Sequence, residues 1–415
     1  MRGKKGGLFQ ALGYSSFRWF FFGQILSMTG LWMQQVALGW IIYEMTESAF
    51  LLGAIGAVTL LPGFFLVPFA GGLADVLDRR RMLIATQSIM AVLAALLAVL
   101  IGTGAAEVWH IFALAFGIGS LHGIDISVRQ SIVAQLVDPE VLTNAVALHS
   151  ITFNLARLAG PSAAGLLLAL GLPALCFGFQ AFGCVAGAFS FLMLKTRPRK
   201  MSGKLRLFRD IREGFQYTWE TTAIRNGILL LTVAGLFIFP YSALLPIFTR
   251  EILGGDALVF GYLAAAPAAG AILGGLYLAA RKSSSGYERL IFIAGITAST
   301  LLILFSWSRI TLLAGLILVF VGASLLLWTA SINTFLQVTV DDSKRGRVMS
   351  FFTMSFMGSA PAGFLLCGFI AGLIGPAWTL SAGGFASLAC VLFLRRKRTR
   401  QKEKLQKQAV KEGTG

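Results

Sequence analysis

The sequence predicts an all-α membrane protein, with twelve transmembrane helices in two pseudo-symmetric six-helix bundles. Three observations lead there. Of 415 residues, 56% are hydrophobic and 13% are charged, with a mean hydropathy of +0.78, which leaves too little polar surface to cover a water-soluble globule. The chain divides into apolar runs, each near the ~20 residues that cross ~30 Å of hydrocarbon as a helix. Its second half also echoes its first: Gln135, Asp138 and Pro161 recur as Gln337, Asp341 and Pro361, at offsets of 200 to 203 residues.

The first six runs lie at 17–43, 50–73, 83–104, 108–133, 145–170 and 173–194. Six more follow at 223–248, 258–280, 288–306, 310–338, 348–374 and 376–394. They lack the ten-residue alternation of barrel strands, and a lone span must satisfy its backbone internally, so each is read as a helix. The expected organisation is a bundle over 1–194, a polar basic linker over 195–222, a second bundle over 223–394 and a basic tail over 395–415. Residues 1–10 are basic, but the apolar run after them exceeds a signal-peptide core and lacks a convincing cleavage site.

The net charge of +17 follows topology. With both termini cytoplasmic, all 35 lysines and arginines except Arg157, Arg250 and Arg309 fall in cytosolic segments or at cytosolic helix ends. This is a strong positive-inside signal for a multi-pass protein of the bacterial inner membrane. The basic stretches at 195–212 and 395–411 rest near anionic headgroups of the lipid bilayer. No recognition module accompanies these charges, which argues against nucleic acid.

Cys176, Cys184, Cys367 and Cys390 all fall inside spans, without zinc or disulfide spacing, and the histidines form no metal motif. There is no phosphate loop, nucleophile elbow or HExxH sequence. The expectation is a protein that is not an enzyme, uses no metal or other cofactor, works as a monomer and draws energy from a gradient.

The segment from Gly71 to Met82 packs five charges into a turn between two apolar runs, and Gly274-Gly275-Leu276 with Arg281-Lys282 repeats part of it. It resembles the loop between the second and third helices of the major facilitator superfamily. That resemblance, extended by the repeat to nearly the whole chain, implies two parallel halves enclosing a midplane cavity. It also implies a conformational switch in which Gly71, Asp75, Arg79 and Arg80 take part. Asp75 would contact helix ends of the opposite half, where an N-terminal dipole favours an anion. Asp78 and Val76 depart from the family pattern, and Leu278 stands where the second half would carry its own Asp75. In the fifth span, Asn154 to Gly165 resembles the Gly-Pro signature of exporters, which adds Gly160 and Pro161 to the switch and implies proton-coupled antiport. Trp32 to Trp40 with Thr46 to Gly53, and Asp125 to Val137, look like the bacterial exporter branch that includes the enterobactin exporter. The usual proline beside Asp125 is absent, replaced by Ile126-Ser127-Val128.

Asp125 is the one acid placed well inside a span, where a charge costs about 3 kcal/mol unless wetted, paired or protonated. His122, Asp125 and Arg129 share one side of the fourth helix, and His149 and Arg157 lie on the fifth. The functional reading makes Asp125 the proton carrier, with Arg157 competing with the proton and His122 tuning it. The alternative is a static ion pair, or an Arg129 that merely snorkels to the cytosol. The substrate cavity is read through helices that resemble the first, fourth, seventh and tenth of the superfamily, and Gln24, Ser27, Gln34, Tyr241, Trp328 and Asn333 are expected to face it. The resulting expectation is proton-driven efflux of a siderophore, drug or other amphipathic small molecule. A lysolipid or lipid-like substrate is the alternative within transport, and a non-transporting receptor or assembly factor the alternative outside it.

Overall fold

The computed structural model of the chain describes residues 9–194, 215–281, 286–341 and 344–412, and within them all side chains except those at 67–76, 131, 347 and 401–412. Among the described residues there is no strand, and twelve helices are long and apolar enough to cross a membrane. The first six are α1 (Ser15–Thr46), α2 (Ala49–Val76), α3 (Arg79–Gly102), α4 (Val108–Leu136), α5 (Leu142–Ala169) and α6 (Pro173–Leu192). The others are α7 (Thr222–Ile252), α8 (Ala257–Ala280), α9 (Tyr287–Ser306), α10 (Thr311–Thr339), α11 (Arg345–Ile374) and α12 (Pro376–Glu412).

Local chemistry sets several boundaries. The carboxylate of Asp78 accepts from the backbone of Arg80 and Arg81 and so caps α3, which accounts for an aspartate in that turn. Asp256 caps α8 through Val259 N–H, and Glu107 with His110 forms a capping box on α4. Two elements differ from expectation. The seventh span is not one regular helix, because Pro240 and Pro246 each remove a backbone donor. Its α-helical start, Thr222–Val233, gives way to a π turn at Ala234–Ile238, a 3₁₀ stretch at Phe239–Leu244 and a second π turn at Phe248–Ile252. The twelfth helix continues unbroken beyond the apolar run to Glu412. Of the predicted linker, 195–214 lies outside the described residues.

In the first half α1 packs on α5 and α6, α3 on α4 and α6, and α2 on α4. In the second, α8 packs on α10, α9 on α10 and α12, and α11 on α7. The halves meet through α2 with α11 and α5 with α8. Lipid is as apolar as leucine, so these crossings depend on small residues that let backbones approach. A Cβ on Gly165 would lie 2.6 Å from the Cα of Gly261, and one on Gly53 would lie 2.9 Å from the Cα of Gly368.

Both glycine pairs sit toward one face of the bundle. Twelve spans place the two described chain ends together on the terminal face, and the turns at 47–48 and 253–256 on the distal face. One apolar core runs through the second half and takes in only distal-side residues of the first, such as Trp40, Ile42, Leu52, Ala164 and Leu168. The terminal side of the first half has its own cluster, with Phe17, Phe20, Leu83, Val128, Ile132 and Phe191, and among the described residues none of the second half belongs to it. Packing therefore joins the halves distally.

Candidate functional site

Asp125 is fully buried on α4, and its carboxylate is held by side chains of two helices. Oδ2 accepts from Arg129 Nε at 2.8 Å, one helical turn away. Oδ1 accepts from Gln87 Nε2 at 3.0 Å and Thr86 Oγ1 at 3.3 Å, both on α3. Gln87 Oε1 in turn accepts from Ser27 Oγ of α1 at 3.0 Å. The network ties α1, α3 and α4 together around one buried charge pair.

Arg129 is 2% exposed, and its guanidinium lies 5.3 Å from the Phe191 ring of α6. Nη2 contacts Asp125 Oδ2 at 2.7 Å as an ion pair whose angles fall outside those of a hydrogen bond. Nη1 is buried with no hydrogen-bond partner among the described residues. Arg129 thus faces inward as the carboxylate's partner.

Arg157, assigned that role in the sequence, sits elsewhere: its guanidinium lies 5.6 Å from the Trp32 ring, within electrostatic reach of Tyr241. His122 lies in the field of both Asp125 and Arg129. His149 Nδ1 pairs with Gln24 Oε1 at 2.8 Å, and its ring lies 5.8 Å from that of Phe20. Proximity of Arg129 connects this second polar pair to the first.

The remaining expected residues divide. Gln34 and Tyr241 are buried, and Gln34 Oε1 has no hydrogen-bond partner among the described residues. Trp328 is fully buried inside the second bundle, packed so closely on Gly295 of α9 that a Cβ there would lie 3.0 Å from the indole. Asn333 is half-buried and accepts from Gln337 on its own helix. Gly160 lies where α5 crosses α1, since a Cβ there would meet Trp32 Cβ at 2.6 Å. The Pro161 carbonyl faces α8, where a Cβ on Gly261 would approach it to 2.8 Å. In the switch loop, Arg80 donates to the last carbonyls of α6, with Nε 2.9 Å from Phe191 O, and Arg79 is buried. The side chain of Asp75 lies outside the described ones, and Gly71 falls in the same stretch of α2.

A cross-half contact absent from the sequence reading closes the distal face. Tyr43 Oη donates to Glu251 Oε1 at 2.7 Å, and Arg250 Nη1 lies 3.7 Å from Glu44 Oε1. Trp40 stacks on Phe260 at 5.3 Å, with the Arg250 guanidinium 5.8 Å from the Trp40 ring. The salt bridge is half-exposed and contributes little. The buried rings and the tyrosine hydrogen bond hold the latch.

A family model described as transmembrane secretion effector matches residues 7–413. The chain is 27% identical to the staphyloferrin A transporter of Staphylococcus aureus (strain NCTC 8325 / PS 47), over 92% of this chain and 96% of that one. It is 24% identical to the multidrug efflux pump Tap of Mycolicibacterium fortuitum, covering 82% and 85%. It is also 24% identical to the enterobactin exporter EntS of Shigella boydii serotype 4 (strain Sb227), covering 90% of each. In fold it resembles the nucleoside transporter NupG, at a TM-score of 0.73 and 12% identity over 92% and 98% of the two chains. A bacterial homologue of the human lysosomal transporter Spinster, in an inward-facing and unoccupied conformation, aligns at 0.70 and 14% identity over 94% and 95%.

Proposed function

The chain belongs to the transmembrane secretion effector family of major facilitator membrane transporters, and from that premise we propose that it is a proton-driven exporter working by alternating access. Its cargo is an amphipathic small molecule of the siderophore or drug class, and its place is the inner membrane, with the terminal face and both termini cytoplasmic. The names of the relatives support the cargo class. The asymmetry of the basic residues supports the orientation.

The observation that carries the reading is a buried ion pair in a bundle whose halves are packed together at one face. Distal closure with a separate terminal-side cluster is the arrangement of a carrier that receives cargo from the terminal face. Asp125 then supplies the coupling. The same carboxylate oxygen serves Arg129 or a proton, so protonation frees the guanidinium and loosens the tie among α1, α3 and α4. Export follows when the distal latch opens: cargo leaves, Asp125 takes up a proton from the distal side, and that proton is released to the cytoplasm after the carrier returns to its distally closed state, so that cargo and proton cross in opposite directions.

The test is flux in proteoliposomes with an imposed pH gradient. Ethidium and a purified siderophore serve as alternative cargoes. The expected result is gradient-driven accumulation of at least one, abolished in Asp125→Asn while downhill exchange persists. Uphill accumulation by a folded Asp125→Asn protein with unchanged proton dependence would remove Asp125 from the coupling step. Downhill flux alone from the unaltered protein, whatever the gradient, would replace the exporter with a facilitator.

A further inference from the structure

A cleft of about 470 Å³ opens at the terminal face between the first turns of α9 and the point where α12 leaves the apolar zone. Its rim carries Arg289, Arg395 and Arg398 against the single acid Glu288, and Phe292 forms part of its wall. Glu288 is already engaged, since Arg398 Nε donates to it at 2.9 Å. The side chains of Arg289 and Arg395 have no ion-pair or hydrogen-bond partner among the described residues.

The corresponding junction of the first half explains why these arginines are left over. There, Arg80 at the start of α3 donates to Phe191 O and Leu192 O, because α6 ends at that level and its last carbonyls are open. In the second half α12 does not end but continues as helix to Glu412. Its carbonyls at this level are used by the helical ladder. The junction carries cations of its own, Arg289 and Arg395, and offers them no open helix-end carbonyls.

We propose that this cleft binds the phosphate headgroup of an anionic phospholipid. Phosphate is the ligand that two or three guanidinium groups recognise best, through paired N–H donors. Basic clefts between helices at the cytoplasmic membrane surface are suited to such headgroups. The depth of the cleft favours lipid over free phosphate. Phe292 lies five residues on from Tyr287 at the start of α9, roughly 7 Å along the helix, and the adjacent wall residue Ile293 is 47% exposed. A ligand filling the site is charged at the rim and apolar beneath it.

The experiment is native mass spectrometry of the full-length protein in nonionic detergent, titrated with phosphatidylglycerol or, separately, phosphatidylcholine. The unaltered protein should retain phosphatidylglycerol in preference to phosphatidylcholine. R289Q/R395Q should weaken retention about 10- to 30-fold, as expected for two headgroup cations, and R289K/R395K should keep most of it. R396Q/R400Q removes equal charge from α12 at positions that do not line the cleft, and should retain lipid as the unaltered protein does. Thermal unfolding in the same detergent identifies any variant that has lost its fold, and the lysine and off-cleft pairs then carry the comparison. Equal retention of the two lipids, or equal loss in the cleft and off-cleft pairs, would overturn the site in favour of a diffuse basic surface. Displacement of phosphatidylglycerol by millimolar inorganic phosphate would overturn the lipid assignment and leave a free-phosphate site.

Discussion

The hydroxyl of Tyr14 donates a 2.7 Å hydrogen bond to Oδ2 of Asp138, and the second half repeats the contact between Tyr217 and Asp341 at 3.3 Å, each pair separated by 124 residues. In both halves a tyrosine just before the first span fastens the turn that joins the fourth and fifth. The repeat inferred from sequence is therefore expressed as a tertiary contact. The two copies differ in surroundings, since Lys344 lies 4.0 Å from the Tyr217 ring.

Tyr14→Phe tests this contact through pH. The hydrogen bond to Asp138 raises the Tyr14 titration above the usual tyrosine range, so its contribution is complete below the unfolded value near 10 and disappears as pH rises through the folded one. The melting-temperature gap between the unaltered protein and Tyr14→Phe in detergent should be constant at neutral pH and shrink in strong alkali. A gap that persists there assigns the effect to ring packing.

The ion pair predicts a non-additive pattern of stability. Asp125→Ala and Arg129→Ala should each destabilise by about 3–5 kcal/mol, because each leaves a buried partner without its counter-charge. The double substitution should cost less than the sum of the two. Denaturant unfolding of all four proteins decides it, and simple additivity would dissolve the pair.

The distal latch predicts a shift in conformational population. Tyr43→Phe removes a hydrogen bond to a charged group whose outer partner is exposed, worth about 1 kcal/mol after solvent screening, or about five-fold in the closed-to-open ratio. Spin labels on Glu47 and Gly254, in turns of opposite halves on the distal face, should report a larger long-distance fraction. An unchanged distribution would leave the rings as the whole latch.

Gly261→Val should prevent the approach of α5 and α8, because the added side chain meets the backbone of Gly165 and Pro161. The expected outcome is a distal face held open, with transport lost and expression retained. Labelling of a cysteine at Ala257 by a membrane-impermeant maleimide should accelerate. Normal transport in Gly261→Val would show that the crossing adapts.

The spans, their number and the duplicated halves were legible because hydropathy and repeat offsets need only one dimension. Side-chain direction was less so. A snorkelling Arg129 is one alternative the sequence offers, but α4 continues to Leu136, which leaves Arg129 roughly 10 Å from the helix end. Its proper partner, at i−4, was visible, but the competing Arg157 was assigned from depth alone. Gln87 carried a signal as the one amide in its run, and only the packing of α3 on α4 revealed its target. Trp328 shows the converse limit, since an aromatic on a span that is apolar all round gives no sign of whether it faces cavity or bundle. The breaks in α7 were written in Pro240 and Pro246, whose effect hydropathy averages away.

The unbroken course of α12 has a mechanical meaning. From Leu394 to Glu412 the helix extends roughly 27 Å past the apolar zone, fixed to the second half at its root by Arg398 and Glu288. Such a rod is a pointer. Any tilt of the second half is magnified at its tip, so a rotation too small to resolve within the membrane becomes a displacement of several ångströms in solution. A fluorophore pair reading that tip against the first half would follow the transport cycle in single molecules without a label in the translocation path.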